Sequence, residues 1–80
     1  MKIVISDHAI HQIFDRDLLE DDVILAAKTG EIIKEYPDDK PFPSCLKLMM
    51  FRDRPLHVVV AEDKKGENLI IVTAYTPDKK

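Results

Sequence analysis

The hydrophobic period of this chain changes once, at Gly30, and that change limits the possible folds more than any other feature. Before Gly30 the apolar residues recur every three to four positions; after it they alternate or run continuously. The first pattern is that of amphipathic helices and the second that of strands. Helices on one side of the sequence and strands on the other predict an α+β domain with segregated layers.

Two helices fit in the first part. Ser6 is a good N-cap, and Asp7 follows where a helix dipole favours an acid. Ala9, Ile10, Ile13 and Phe14 then form an apolar stripe, with His8 roughly opposite its centre. The second helix is predicted over 20–29. It has Glu20, Asp21 and Asp22 in its first turn, an apolar stripe of Val23, Ala26 and Ala27 widened by Ile24, and Gly30 just past its end.

Four strands are predicted, over 31–36, 45–51, 56–63 and 68–75. A proline-rich loop covers 37–43, and Arg52 to Pro55 form a turn. Lys64-Lys65-Gly66 reads as a three-residue hairpin loop with glycine at a left-handed position. The last two strands are apolar on both faces and are expected at the centre of the sheet. The predicted architecture is therefore two N-terminal helices packed on one face of a four-stranded antiparallel sheet, in the order α-α-β-β-β-β.

With 80 residues, the chain is expected to be a single domain over 1–80. A domain this small buries only about 60% of its unfolded surface. With a single cysteine, no disulfide adds to that core. The Asp78-Lys79-Lys80 tail is expected to be disordered. The apolar run near the start is only Ile3-Val4-Ile5, too short for a signal segment or a membrane span. A cytoplasmic location and no membrane partner follow as expectations. The net charge of −3 argues against a generic nucleic-acid binder but permits a local basic pocket.

Several side chains are candidates for chemistry. His8 and His11 are three residues apart, but two imidazoles are too few ligands for a metal site, so none is expected. With a three-residue hairpin loop, His57 faces Thr73, Val59 faces Ile71, and Tyr75 lies on the same face; a two-residue loop would put His57 opposite Ala74. A His-Thr-Tyr patch can handle protons, although a histidine at a sheet border is more often bonded to backbone. Lys47 lies between Leu46 and Leu48 and is expected on the less buried face. Arg52 and Arg54 flank a turn, where they either solubilise the chain or contact phosphate. Tyr36 and Phe42 border the proline-rich loop and can pack or stack. Cys45 reads as an ordinary strand thiol. The only glycines are Gly30 and Gly66, so there is no phosphate-cradling loop and no cofactor is expected.

Several ordered pieces resemble the domain of unknown function 4258 family. They are Ser6-Asp7-His8-Ala9, Arg16-Asp17-Leu18, Glu20-Asp21-Asp22-Val23, Gly30-Glu31-Ile32-Ile33, Tyr36-Pro37-Asp38-Asp39, Pro55-Leu56-His57-Val58-Val59-Val60 and Ile70-Ile71-Val72-Thr73-Ala74-Tyr75-Thr76-Pro77. Gln12 stands where many relatives are expected to have a basic residue, and Leu19 where a Ser or Thr N-cap is usual. The resemblance implies a RelE-like toxin fold and a metal-independent endoribonuclease acting on mRNA. It also implies the toxin half of a toxin–antitoxin pair, with an antitoxin protein and RNA or the ribosome as partners. His8, Arg16, His57 and Tyr75 are the implied catalytic residues, with His57 and His8 as base and acid. Lys47, Arg52 and Thr73 complete the expected substrate-binding set. The alternatives are a non-catalytic module that binds a protein through its open sheet face or a strand edge, and a metal-dependent hydrolase using His8 and His11.

Overall fold

Ser6 turns the chain from extended backbone into the first helix, as its capping chemistry predicts. Its Oγ accepts from the Ala9 backbone N–H at 3.1 Å and donates to the Val72 carbonyl at 3.0 Å, so the cap is also a tertiary tie. Losing such a cap costs about 1 kcal/mol. The computed structural model describes residues 1–77; the tail expected to be disordered lies outside them. The elements are β1 (Lys2–Ile5), α1 (Asp7–Asp15), α2 (Glu20–Thr29), β2 (Glu31–Tyr36), β3 (Ser44–Phe51), β4 (Arg54–Asp63) and β5 (Asn68–Tyr75).

The expected four-stranded antiparallel sheet is corrected. Among the described residues the sheet has five strands in the order β1-β5-β4-β3-β2, and β1 pairs parallel with β5. The α+β class stands; the α-α-β-β-β-β order does not, because a strand precedes the helices. Ile3-Val4-Ile5 is the missed strand. Its partner lies more than sixty residues away, so no local pattern announces the pairing. β1 also explains why β5 is so apolar: β5 is an interior strand, flanked by β4 and β1, rather than the edge of a meander.

Both helices pack on one face of the sheet. Their small residues Ala9, Ala26 and Ala27, with Val23, are fully buried against Val58, Ile71 and Ala74. Small side chains let the helix backbones approach closely. Gly30 extends that logic: a Cβ there would stand 2.5 Å from the Ala26 carbonyl oxygen and 3.1 Å from that of Leu48. Its φ of −64° is ordinary, so glycine is needed here for space and not for a left-handed turn.

The loops differ from expectation in ways that set the register. Asp63 pairs with Asn68, so the β4–β5 loop has four residues, and Glu67, not Gly66, is left-handed with φ 55°. A register shift between Val59 and Val60 leaves Val72 as an extra residue in β5. Val60 then faces Ile71, Val59 faces Thr73 and His57 faces Tyr75. The β3–β4 turn is tight, with positive φ at both Arg52 (52°) and Asp53 (70°). That is the twist a two-residue hairpin prefers, made here without the usual Asn-Gly pair.

Candidate functional site

The bulge at Val72 decides where the strand-borne candidates sit. Leu56 and Val58 are buried beneath the helices, so His57 between them projects from the opposite, helix-free face. Tyr75 lies across from it. The His57 Nδ1 and the Tyr75 hydroxyl are 3.3 Å apart, and the rings meet edge to face with centroids 5.3 Å apart. Both side chains are half-buried. This pair joins a titratable ring to a hydroxyl that fixes its orientation.

Thr73 is held elsewhere. Gln12 Oε1 accepts from the Thr73 hydroxyl and from the Ala74 backbone N–H, the latter at 2.9 Å. β1 ends opposite Ile71, so among the described residues the edge of β5 beyond it has no strand neighbour. Gln12 satisfies that edge from α1. Sequence reasoning missed this task; a polar residue one turn beyond His8 on the same helix flank was its only signal.

Lys47 does not point to the less buried face. It pairs with Val58 on the helix side, and its Nζ donates to the Ala27 carbonyl at 2.7 Å, near the C-terminal end of α2. A cation there satisfies a carbonyl of the last turn and complements the helix dipole. Cys45 lies on the same side, half-buried and unpaired. Burial raises its thiol pKa; Lys47 lowers it, and Glu35 and Glu62 raise it further. Tyr36 packs its ring 5.5 Å beneath the Lys34 ammonium.

Arg16 follows α1 and lines a half-open groove of about 570 Å³, with Arg52 and Arg54 of the β3–β4 hairpin. The groove also has apolar walls, among them Leu18, Leu19, Phe51 and Leu56, and two acids, Asp17 and Asp22. The groove arises from local backbone choices. α1 ends in a left-handed Asp17 (φ 54°), with Leu18 N–H returning to the Ile13 carbonyl at 2.9 Å, which turns the chain sharply after Arg16. The tight hairpin turn carries Arg52 into the same space.

The structure thus brings Arg16 together with Arg52, and His57 with Tyr75. Thr73 binds Gln12, and Lys47 is engaged under α2. His8 is exposed in the first turn of α1, roughly 12 Å of helix rise from Arg16. Arg54, expected beside a turn where it would either solubilise the chain or contact phosphate, lines the groove with Arg52. Among the described residues no group of three or more His, Cys, Asp or Glu side chains is placed to hold a metal ion. Among the described residues no helix is long and apolar enough to cross a membrane.

The family model described as domain of unknown function (DUF4258) matches residues 5–76, from the end of β1 to the groove residue Thr76. The chain belongs to this family. The match takes in both helices, the strands β2 to β5 and every residue of the arginine groove and the His57–Tyr75 pair. No curated protein and no solved structure matches this DUF4258 domain.

Proposed function

We propose that this DUF4258 domain is a metal-independent endoribonuclease of toxin type, the toxin half of a toxin–antitoxin pair. The observation that carries the reading is the convergence of Arg16, Arg52 and Arg54 on one groove in a chain of net charge −3. Three guanidiniums against two carboxylates make the groove locally positive, and planar guanidinium forks suit phosphate oxygens. The apolar walls give a base something to pack on.

His57 and Tyr75 supply the proton handling. Pro55 and Thr76 line the groove and lie two residues from His57 and one from Tyr75, so a strand of RNA leaving the groove passes over the end of the sheet toward the pair. In this reading His57 takes the 2′-hydroxyl proton. The 2′-oxygen then attacks phosphorus, the 5′-oxygen leaves with a proton from solvent, and a 2′,3′-cyclic phosphate remains. The arginines offset the charge of the phosphorane. Lys47 and Thr73 act as scaffold, and His8 has no assigned role.

The test is incubation of the purified chain with end-labelled single-stranded RNA in excess chelator. The reading expects fragments ending in 2′,3′-cyclic phosphate, and a loss of about 100-fold or more for His57→Ala. Arg16→Ala and Arg54→Ala should each weaken RNA binding and flatten its salt dependence by about 0.7 in the log–log slope. Intact RNA, with binding equal in all variants, would sink it.

A further inference from the structure

We propose that the outward flank of α1 is a docking site for a basic, amphipathic helix of a partner protein. This does not rest on the ribonuclease reading. The apolar stripe of α1 is wider than the core it serves: Ala9 is fully buried and Ile13 half-buried, but Ile10 is 47% and Phe14 84% exposed. Phe14 is the most exposed large hydrophobic side chain among the described residues. Ile10 and Phe14 are one turn apart on the same flank, away from the His8–Gln12 side that meets the edge of β5. With Ile13 and Leu18 they line a shallow depression of about 520 Å³, whose remaining lining residues are Asp17 and Glu20. Asp7 lies one turn before Ile10 on the same flank. A narrow apolar strip with anchors at i and i+4 fits the apolar face of another helix.

The charge around the strip selects the occupant. Asp7, Asp17 and Glu20 border it, and among the described residues no cation lines the depression. A second copy of this chain, net charge −3, would bring the same acids against each other, and like charges facing across an interface suppress association. A helix with an apolar face flanked by lysines or arginines matches both the strip and its rim.

Two probes of about five helical turns test this: a lysine/leucine amphipathic peptide and a glutamate/leucine peptide of the same pattern. Binding to the full chain is read by fluorescence anisotropy, and the contact surface by amide chemical shifts. The lysine/leucine peptide should bind saturably, with shifts centred on Ile10, Ile13, Phe14 and Leu18. Phe14→Ala should weaken it by about thirtyfold, as loss of a hot-spot aromatic does, with no loss of thermal stability because Phe14 is exposed. Asp17→Asn with Glu20→Gln should slow association and reduce its salt dependence. Three results would overturn the proposal: equal binding of both peptides, shifts centred on the arginine groove, or Phe14-dependent self-association in sedimentation equilibrium.

Discussion

The His57 Nδ1 and the Tyr75 hydroxyl stand 3.3 Å apart on the helix-free face of the sheet, and a one-residue bulge in β5 puts them there. Without the extra residue at Val72, His57 would face a neighbour of Tyr75 instead. The contact makes a prediction that separates orientation from packing. Tyr75→Phe keeps the edge-to-face ring contact and removes only the hydroxyl. It should cost about 1 kcal/mol of stability. If His57 handles the proton, the same change should lower RNA cleavage while RNA binding stays constant. A parallel loss of binding and cleavage would place Tyr75 in the substrate contact instead.

Lys47 makes a prediction of the opposite kind. Its ammonium donates to the Ala27 carbonyl, so Lys47→Met keeps the stem and deletes the charged hydrogen bond. Urea unfolding should show a loss of roughly 1.5–3 kcal/mol. RNA binding by the folded variant should not change. A stable variant with weakened RNA binding would restore Lys47 to the substrate site.

These two residues show what the sequence made legible. The helices and four strands could be read because each announces itself locally: Ser6 and Asp7 open α1, the acids open α2, Gly30 closes it, and prolines bound the strands. The 20–29 helix and the 31–36 and 68–75 strands match the structure at both ends. β1 and its parallel pairing could not be read, since three apolar residues carry no period and the partner is at the far end of the chain. The face of Lys47 was misjudged because a lysine among leucines looks like an outward residue. Here a helix end supplies a carbonyl that makes an inward ammonium favourable. The arginine groove depends on three left-handed non-glycine residues, Asp17, Arg52 and Asp53, and nothing in the local sequence marks them as such.

Burial, the largest effect on Cys45, raises its thiol pKa; the Lys47 ammonium partly opposes the rise, and Glu35 and Glu62 add to it. The folded chain then holds this proton at a pH where the unfolded chain has begun to lose it. The unfolded state binds fewer protons in that window, so stability falls as pH rises. The contribution is fully present below the ordinary thiol value of about 8.5 and is lost as pH climbs through the raised one. Denaturant unfolding from neutral to alkaline pH should therefore show a decline that is reduced in Cys45→Ala. Alkylation should be slow near neutrality, and slower still in Lys47→Met, which removes the one favourable charge. Rapid labelling at neutral pH would contradict this account.

Leu19 sets stability against the groove. It is the N-cap of α2, it makes no side-chain capping bond, and it is 65% exposed. Three acids in the first turn offset part of that deficit through the helix dipole. Leu19→Ser places a hydroxyl where the free N–H groups of α2 can use it and removes little buried surface. The variant should gain roughly 0.5–2 kcal/mol, read as a higher urea midpoint with an unchanged slope. Leu19 is also part of the groove that holds Arg16, Arg52 and Arg54. If RNA bases pack on that apolar wall, the more stable variant should bind single-stranded RNA more weakly, by a factor that changes little with salt because no charge has been altered. Arg54→Ala should show the reverse: weaker binding with a flatter salt dependence. A Leu19→Ser chain that is both more stable and equally tight for RNA would mean the wall takes no part in binding, leaving the arginines as the whole of the contact.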